Sequence, residues 1–232
     1  MKIIGVTGGV GAGKSEILHY IETHYNARVL LADDAAHAIE APGGAIYESL
    51  IQLLERYPVP VTDAAGTIGG NTDDAAGGDT GGAAGSAPAV PPITLPDGRI
   101  NKPEMARRIF SVPELLDQVN QLVHPAVKIY ILDESAREKK AGRLDFFIVE
   151  AALLIEAGYK EHLDELWYIY CDENERRRRL RASRGYSDEK IDNILRSQLS
   201  EQEFRDNADV VIDNSGTIEA ACAQVDAALS RG

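Results

Sequence analysis

Basic residues are in short supply. The 232-residue chain carries 24 Lys and Arg against 37 Asp and Glu, a formal net charge of −13. Such a chain repels nucleic acid and anionic membrane in bulk, so any anionic ligand has to be captured by a local site. Cysteine is scarcer still: Cys171 and Cys222 stand far apart with no CxxC spacing, which argues against a disulfide framework and a zinc site. The five histidines are scattered. No run approaches the roughly 18 apolar residues of a membrane span. The opening residues lack the basic segment and long apolar core of a secretion signal. A cytoplasmic monomer with no nucleic-acid partner and no membrane partner is expected. What is present, 44% hydrophobic and 26% charged residues, suits one globular domain over 1–232, with room for a small subdomain.

Apolar runs of strand length occur at 2–6, 27–34, 145–150, 166–172 and 208–214, separated by stretches with helical periodicity. Helices are expected over 15–25, 34–41, 45–56, 102–110, 112–123, 125–140, 173–183, 188–198 and 217–230, with Ser187 as an N-cap. His124-Pro125 marks a junction between two of them. Continuously apolar strands alternating with helices predict an α/β fold whose parallel sheet is covered on both faces. One stretch breaks the pattern. Residues 58–96 hold eight of the 21 glycines and six of the ten prolines with no apolar period, and read as a disordered insertion.

The concentrated signal is GVTGGVGAGKSE at 5–16. Gly8-x4-Gly13-Lys14-Ser15 is a complete P-loop pattern, set between an apolar strand and a helix. Gly8, Gly11, Ala12 and Gly13 bring backbone N–H groups onto phosphate oxygens, and Lys14 reaches the outer phosphates. The Ser15 hydroxyl ligates Mg2+, and Glu16 follows on the first turn of the helix. The helix also turns its positive end toward the same anion. ATP with Mg2+ is the expected cofactor pair. Asn101-Lys102-Pro103-Glu104 resembles a guanine-reading motif superficially, but it ends in Glu and opens a helix, so it is discounted.

In open parallel sheets, ligands gather beyond the carboxyl ends of the strands. Asp33, ending the second strand, is therefore placed at the crevice the P-loop faces, where a carboxylate can take the proton of an acceptor hydroxyl. Asp34 is the expected helix cap. Arg176–Arg179, Arg181 and Arg184 form the one dense basic run. Most of it suits a solvated helix face paired with Glu173 and Glu175, and the run beside a Gly-containing turn also suits a lid over phosphates at 173–200. His124 reads equally as a substrate contact or a structural cap.

With these residues laid out, the chain resembles the dephospho-coenzyme A kinases over everything except roughly 58–96. The family's T-G-G-x-G-x-G-K-S is Thr7 to Ser15. Its aspartate before a P-G turn is Ala32-Asp33 with Ala41-Pro42-Gly43. Its D-G-x-I-N segment is Asp97 to Asn101, and its L-x-H-P is Leu122 to Pro125. Its L-L-x-E-x-G is Leu153 to Gly158. Its lid pattern is met by Arg179, Gly185, Ser187, Glu189 and Gln198, and its closing A-D-x-V-I-D-N is Ala208 to Asn214.

The resemblance implies a P-loop nucleoside-kinase-like three-layer core with about five parallel strands, a helical substrate-binding region and a lid. It implies transfer of the ATP γ-phosphate to the ribose 3′-hydroxyl of dephospho-coenzyme A. Asp33 becomes the general base, Lys14 and Arg179 the phosphate-side catalytic residues, and Asn214 part of the adenine pocket. Departures from the family pattern are Glu16 for a threonine, Leu31 for an aspartate, Glu150 and Ala152 for Asp and Pro, and Ser183 for a lid arginine, with Arg184 one residue later. Two other readings stand beside it: a kinase for another nucleoside or nucleotide on the same core, and a non-catalytic nucleotide switch.

Overall fold

The five apolar runs pair into a parallel sheet. β1 (Lys2–Thr7), β2 (Ala27–Leu31), β3 (Phe146–Glu150), β4 (Glu165–Tyr170) and β5 (Val210–Asp213) lie in the order β2-β3-β1-β4-β5. The computed structural model describes residues 1–60 and 90–230. Among these are nine α-helices, eight between strands and α9 after β5: α1 (Lys14–His24), α2 (Ala32–Glu40), α3 (Tyr47–Glu55), α4 (Lys102–Ser111), α5 (Pro113–Ala141), α6 (Glu173–Arg184), α7 (Asp188–Arg196), α8 (Glu201–Asn207) and α9 (Ile218–Leu229). No helix among the described residues is long and apolar enough to cross a membrane.

The sheet is sandwiched because its residues are apolar on both faces. Ile4, Val6, Ile148, Trp167, Ile169 and Ile212 pack with Ile17, Leu18 and Ile21 of α1 and with Ala221, Val225 and Leu229 of α9. Each such fully buried side chain contributes about 1.5–3 kcal/mol of transfer free energy. On the opposite face the Arg28 guanidinium lies 5.7 Å from the Phe147 ring centroid and reaches Glu134 and Glu138 of α5. Tyr168 stacks on Phe204 of α8 with centroids 4.7 Å apart. This helix–sheet–helix layering is the expected three-layer core.

The chain divides into two compact units: Met1–Ile39 with His124–Gly232, and Glu40–Val123. The first contains the sheet. In the second, Leu50, Leu54, Ile93, Ile100, Leu115 and Val119 are buried. Glu104, 4% exposed, pairs with Arg108, whose guanidinium also donates to the Leu54 and Pro91 carbonyls. Asn101 is the N-cap of α4, accepting from the Glu104 N–H at 3.3 Å. That is a structural role, consistent with discounting it as a guanine reader.

Several expectations are corrected. The stretch 58–96 lies outside the described residues over 61–89, but its far end is ordered: Ile93 is buried and Thr94 bridges Ile100. No helix break occurs at His124-Pro125; α5 runs through Pro125, at a cost of about 3 kcal/mol for an internal proline. Leu115, Val119, Val127 and Ile131 are buried on either side of it, and their packing holds the helix together. A further helix, α8, appears where none was expected. Ser200 and Glu203 form a capping box at its start, and Phe204 is its buried anchor.

Candidate active site

β1 ends at Thr7 and α1 begins at Lys14, so residues 8–13 carry the chain from strand to helix. Gly13 has φ +83°, and a Cβ there would collide with the Asn214 side chain, so glycine is required on both counts. Gly13 also has no side chain to cap α1, which leaves the first-turn N–H groups and the positive end of the helix facing the loop. Ser15 and Glu16 are exposed on that first turn.

Four groups hold the loop. The Lys14 ammonium folds back to donate to the Gly8 carbonyl at 2.7 Å. Asn214, 1% exposed, donates its amide to the Ala12 carbonyl at 2.8 Å. Arg176 Nε donates to the Val10 carbonyl at 3.1 Å, and its guanidinium lies so close to Gly9 that a Cβ there would overlap it. Gln198 Oε1 accepts from the Val10 N–H at 3.3 Å and from Arg176 at 2.6 Å.

Arg179 donates to Glu175 at 2.8 Å and to the Asn214 carbonyl at 2.9 Å. Its remaining terminal nitrogen is buried near Gly13 and has no partner among the described residues. Three other arginines of the run are paired with carboxylates of α6 and α7. Arg177 pairs with Glu173 and Asp192, Arg178 with Glu175, and Arg181 with Asp188.

The carboxylates gather at the carboxyl ends of β2 and β3. Glu150 is in register with Val6 of β1 and Leu31 of β2. Its carboxylate lies 3.5 Å from the Lys14 ammonium. Burial pushes the Glu150 carboxyl up and the neighbouring Asp33 charge adds to that, while Lys14 opposes both. Burial likewise pushes Lys14 down. Glu150 counteracts this, and the Arg176 and Arg184 charges reinforce it. The result is a mixed site, with cations on the loop side and two carboxylates opposite, Glu150 ending β3 and Asp33 just past β2.

Asp33 is exposed and sits not at the end of β2 but in the first turn of α2, because the helix begins at Ala32. Asp34 lies inside the same turn and is therefore not the cap. His124 is exposed within α5, so the structural-cap reading of it falls. Glu150 stood out in the sequence only as a departure, although a carboxylate closing the apolar run FFIV at a strand's carboxyl end is a usable signal. Arg176 was one of six similar arginines. Its partner Val10 lies 166 positions away, and no local pattern announces that contact.

A model of the family described as "Dephospho-CoA kinase" matches residues 2–69 and 90–220. The dephospho-CoA kinase of Streptococcus mutans is 30% identical over 230 residues, covering 99% of this chain and 97% of its own. That of Symbiobacterium thermophilum is 27% identical over 228 residues, 98% of this chain and 80% of its own. Among solved structures, a Thermus thermophilus protein superposes with a TM-score of 0.66 at 26% identity, covering 99% of this chain and 97% of that one. A Campylobacter jejuni dephospho-CoA kinase has the same fold, with a TM-score of 0.67 at 17% identity, over 100% of this chain and 97% of that one. With the family match spanning both flanks of the 70–89 gap and reaching from the P-loop past Asn214, the chain belongs to the dephospho-CoA kinase family.

Proposed function

We propose that the chain transfers the γ-phosphate of ATP to the ribose 3′-hydroxyl of dephospho-coenzyme A, giving coenzyme A and ADP. The observation that carries this reading is the chain of charges from Lys14 at the start of α1, through Glu150 at the end of β3, to Asp33 in the first turn of α2. A phosphate grip and a proton acceptor stand side by side. Family membership names the acceptor.

In this mechanism the N–H groups of Gly8, Gly11, Ala12 and Gly13 and the exposed start of α1 at Ser15 and Glu16 bind the phosphates. The acceptor hydroxyl oxygen forms the new bond to the γ-phosphorus while the bond to the β-phosphate oxygen breaks. Asp33, exposed at the crevice edge, takes the hydroxyl proton. Lys14, Arg179 and the flanking Arg176 and Arg184 offset the charge on the transferring group. The buried, unpartnered nitrogen of Arg179 beside Gly13 supports its assignment. Asn214 fixes Ala12 from beneath and is assigned to the adenine side, and His124 to the acceptor side. The helices α6 and α7 are assigned as the lid.

Among the described residues no cluster of His, Cys, Asp or Glu could hold a metal alone. The Ser15 hydroxyl, exposed on the first turn of α1, is an oxygen donor that fits Mg2+ carried in by the nucleotide. When bound there, Mg2+ neutralises phosphate charge. A monomer acting in the cytoplasm completes the proposal.

Initial-rate ADP formation from ATP and Mg2+ tests the proposal, with dephospho-coenzyme A, a nucleoside panel and a nucleoside monophosphate panel as acceptors. Turnover dependent on dephospho-coenzyme A is expected. Faster turnover with a nucleoside or nucleotide would move the assignment to another small-molecule kinase, and no turnover with any acceptor would favour a switch.

A further inference from the structure

Two N–H donors from separate elements converge on one uncharged oxygen. The Val10 amide belongs to the P-loop and the Arg176 guanidinium to α6, and both donate to Gln198 Oε1, at 3.3 and 2.6 Å. Arg176 is anchored to the loop independently of Gln198, through its Nε on the Val10 carbonyl and its packing against Gly9. A backbone amide next to a guanidinium is a donor set suited to an anionic oxygen. We infer that Gln198 is an internal competitor for this seat: its carboxamide oxygen stands where a phosphate oxygen of the nucleotide binds.

The inference rests on the kinase reading above, because it takes the loop's ligand to be a nucleotide phosphate. The Val10 amide bonds a charged oxygen roughly twice as strongly as a neutral one, and phosphate adds charge pairing with Arg176, so phosphate displaces the carboxamide. A carboxylate at this position would hold Arg176 by charge and repel the phosphate as well. Gln198 lies just beyond α7 and Arg176 on α6, so the exchange of one oxygen for the other links nucleotide arrival to the position of both helices. Nucleotide affinity is then set partly by a residue that never touches the nucleotide.

The test is calorimetric titration of the full chain with Mg2+ and the non-hydrolysable ATP analogue AMP-PNP, alongside adenosine as a phosphate-free control. Losing the two competing hydrogen bonds predicts that Gln198→Ala binds AMP-PNP at least about threefold more tightly. Gln198→Glu should bind it at least about tenfold more weakly, through the added charge and the stronger hold on Arg176. Adenosine should bind the wild type and both variants alike. Unchanged or weaker AMP-PNP binding by Gln198→Ala overturns the inference, and so does a parallel change in adenosine binding. Should the variants fail to fold, a crystal structure of the wild type with AMP-PNP decides. A phosphate oxygen within hydrogen-bond reach of the Val10 amide with Gln198 displaced supports it, and Gln198 still on Val10 overturns it. If the wild type does not bind AMP-PNP at all, the kinase reading falls together with the inference. If it binds and Gln198→Ala gains nothing, only the inference falls.

Discussion

Lys14 and Glu150 face each other across 3.5 Å, from the first residue of α1 to the last residue of β3. The pair is largely removed from water, and each partner offsets the cost of burying the other's charge. Glu150 thereby opposes the loss of charge that burial favours at Lys14, whose ammonium is held beside the Gly8 carbonyl.

Lys14→Ala is expected to abolish turnover while the circular dichroism spectrum stays that of the parent. Its charge offsets that of the transferring phosphoryl group, an effect typically worth about 10²–10³ in rate for one lost donor and more for a full charge. Near-normal turnover in the variant would remove the P-loop from the mechanism.

Asp33→Asn keeps the size of the side chain and removes the base. Loss of a general base costs about 10²–10⁴ in rate, so kcat should collapse with the Kd for ATP little changed. Asp34→Asn, one residue along the same helical turn, serves as the comparison and should retain activity. Damage confined to Asp34→Asn would transfer the base to that residue.

The alkaline limb of kcat/KM for ATP reports Lys14 in the free enzyme. Burial holds this lysine below its ordinary 10.5, with Glu150 as the main opposing influence. Removing the Glu150 charge lowers the lysine further, so its protonated form is lost at lower pH. In Glu150→Gln the alkaline limb of the pH profile should therefore shift to lower pH. A limb that stays in place would show that Glu150 does not set the charge of Lys14.

Away from the site, Asp226 of α9 accepts from the hydroxyls of Tyr25, at 2.6 Å, and Tyr20, at 2.8 Å. These bonds, Tyr25's first, hold its carboxyl below the ordinary range. The stability they contribute is present at neutral pH and is lost as pH falls through the folded value. Asp226→Ala should cost about 1–3 kcal/mol at neutral pH, lowering Tm by several degrees with kcat unchanged. The gap in Tm should narrow in acid, as the charge-assisted part of the bonds is lost. A gap that is constant with pH would mean the carboxylate charge is not involved.

How far the sequence could be read depended on the range of the interactions. The strands were legible because each is a continuous apolar run, and the loop because a P-loop needs fixed residue types at fixed spacing. The sequence places Asp33 at the right edge but on the wrong element, since α2 begins at Ala32, immediately after β2 ends at Leu31. At seven residues α8 is too short to show a helical period, and Ser200 and Glu203 alone announce its start. The break placed at Pro125 overweighted a local preference that packing along α5 overrides. The grip of Arg176, Gln198 and Asn214 on the loop had no local signature, because each contact spans well over a hundred residues.

The most direct test of the central claim follows the phosphate itself. The chain is incubated with ATP labelled in the γ-phosphate, Mg2+ and dephospho-coenzyme A, and the product is analysed by mass spectrometry and phosphorus NMR. The account predicts one labelled phosphate per product molecule, as a monoester on the ribose 3′-oxygen, formed in step with ADP and absent with Lys14→Ala. Label released as inorganic phosphate, or carried on any other oxygen of the acceptor, would contradict it.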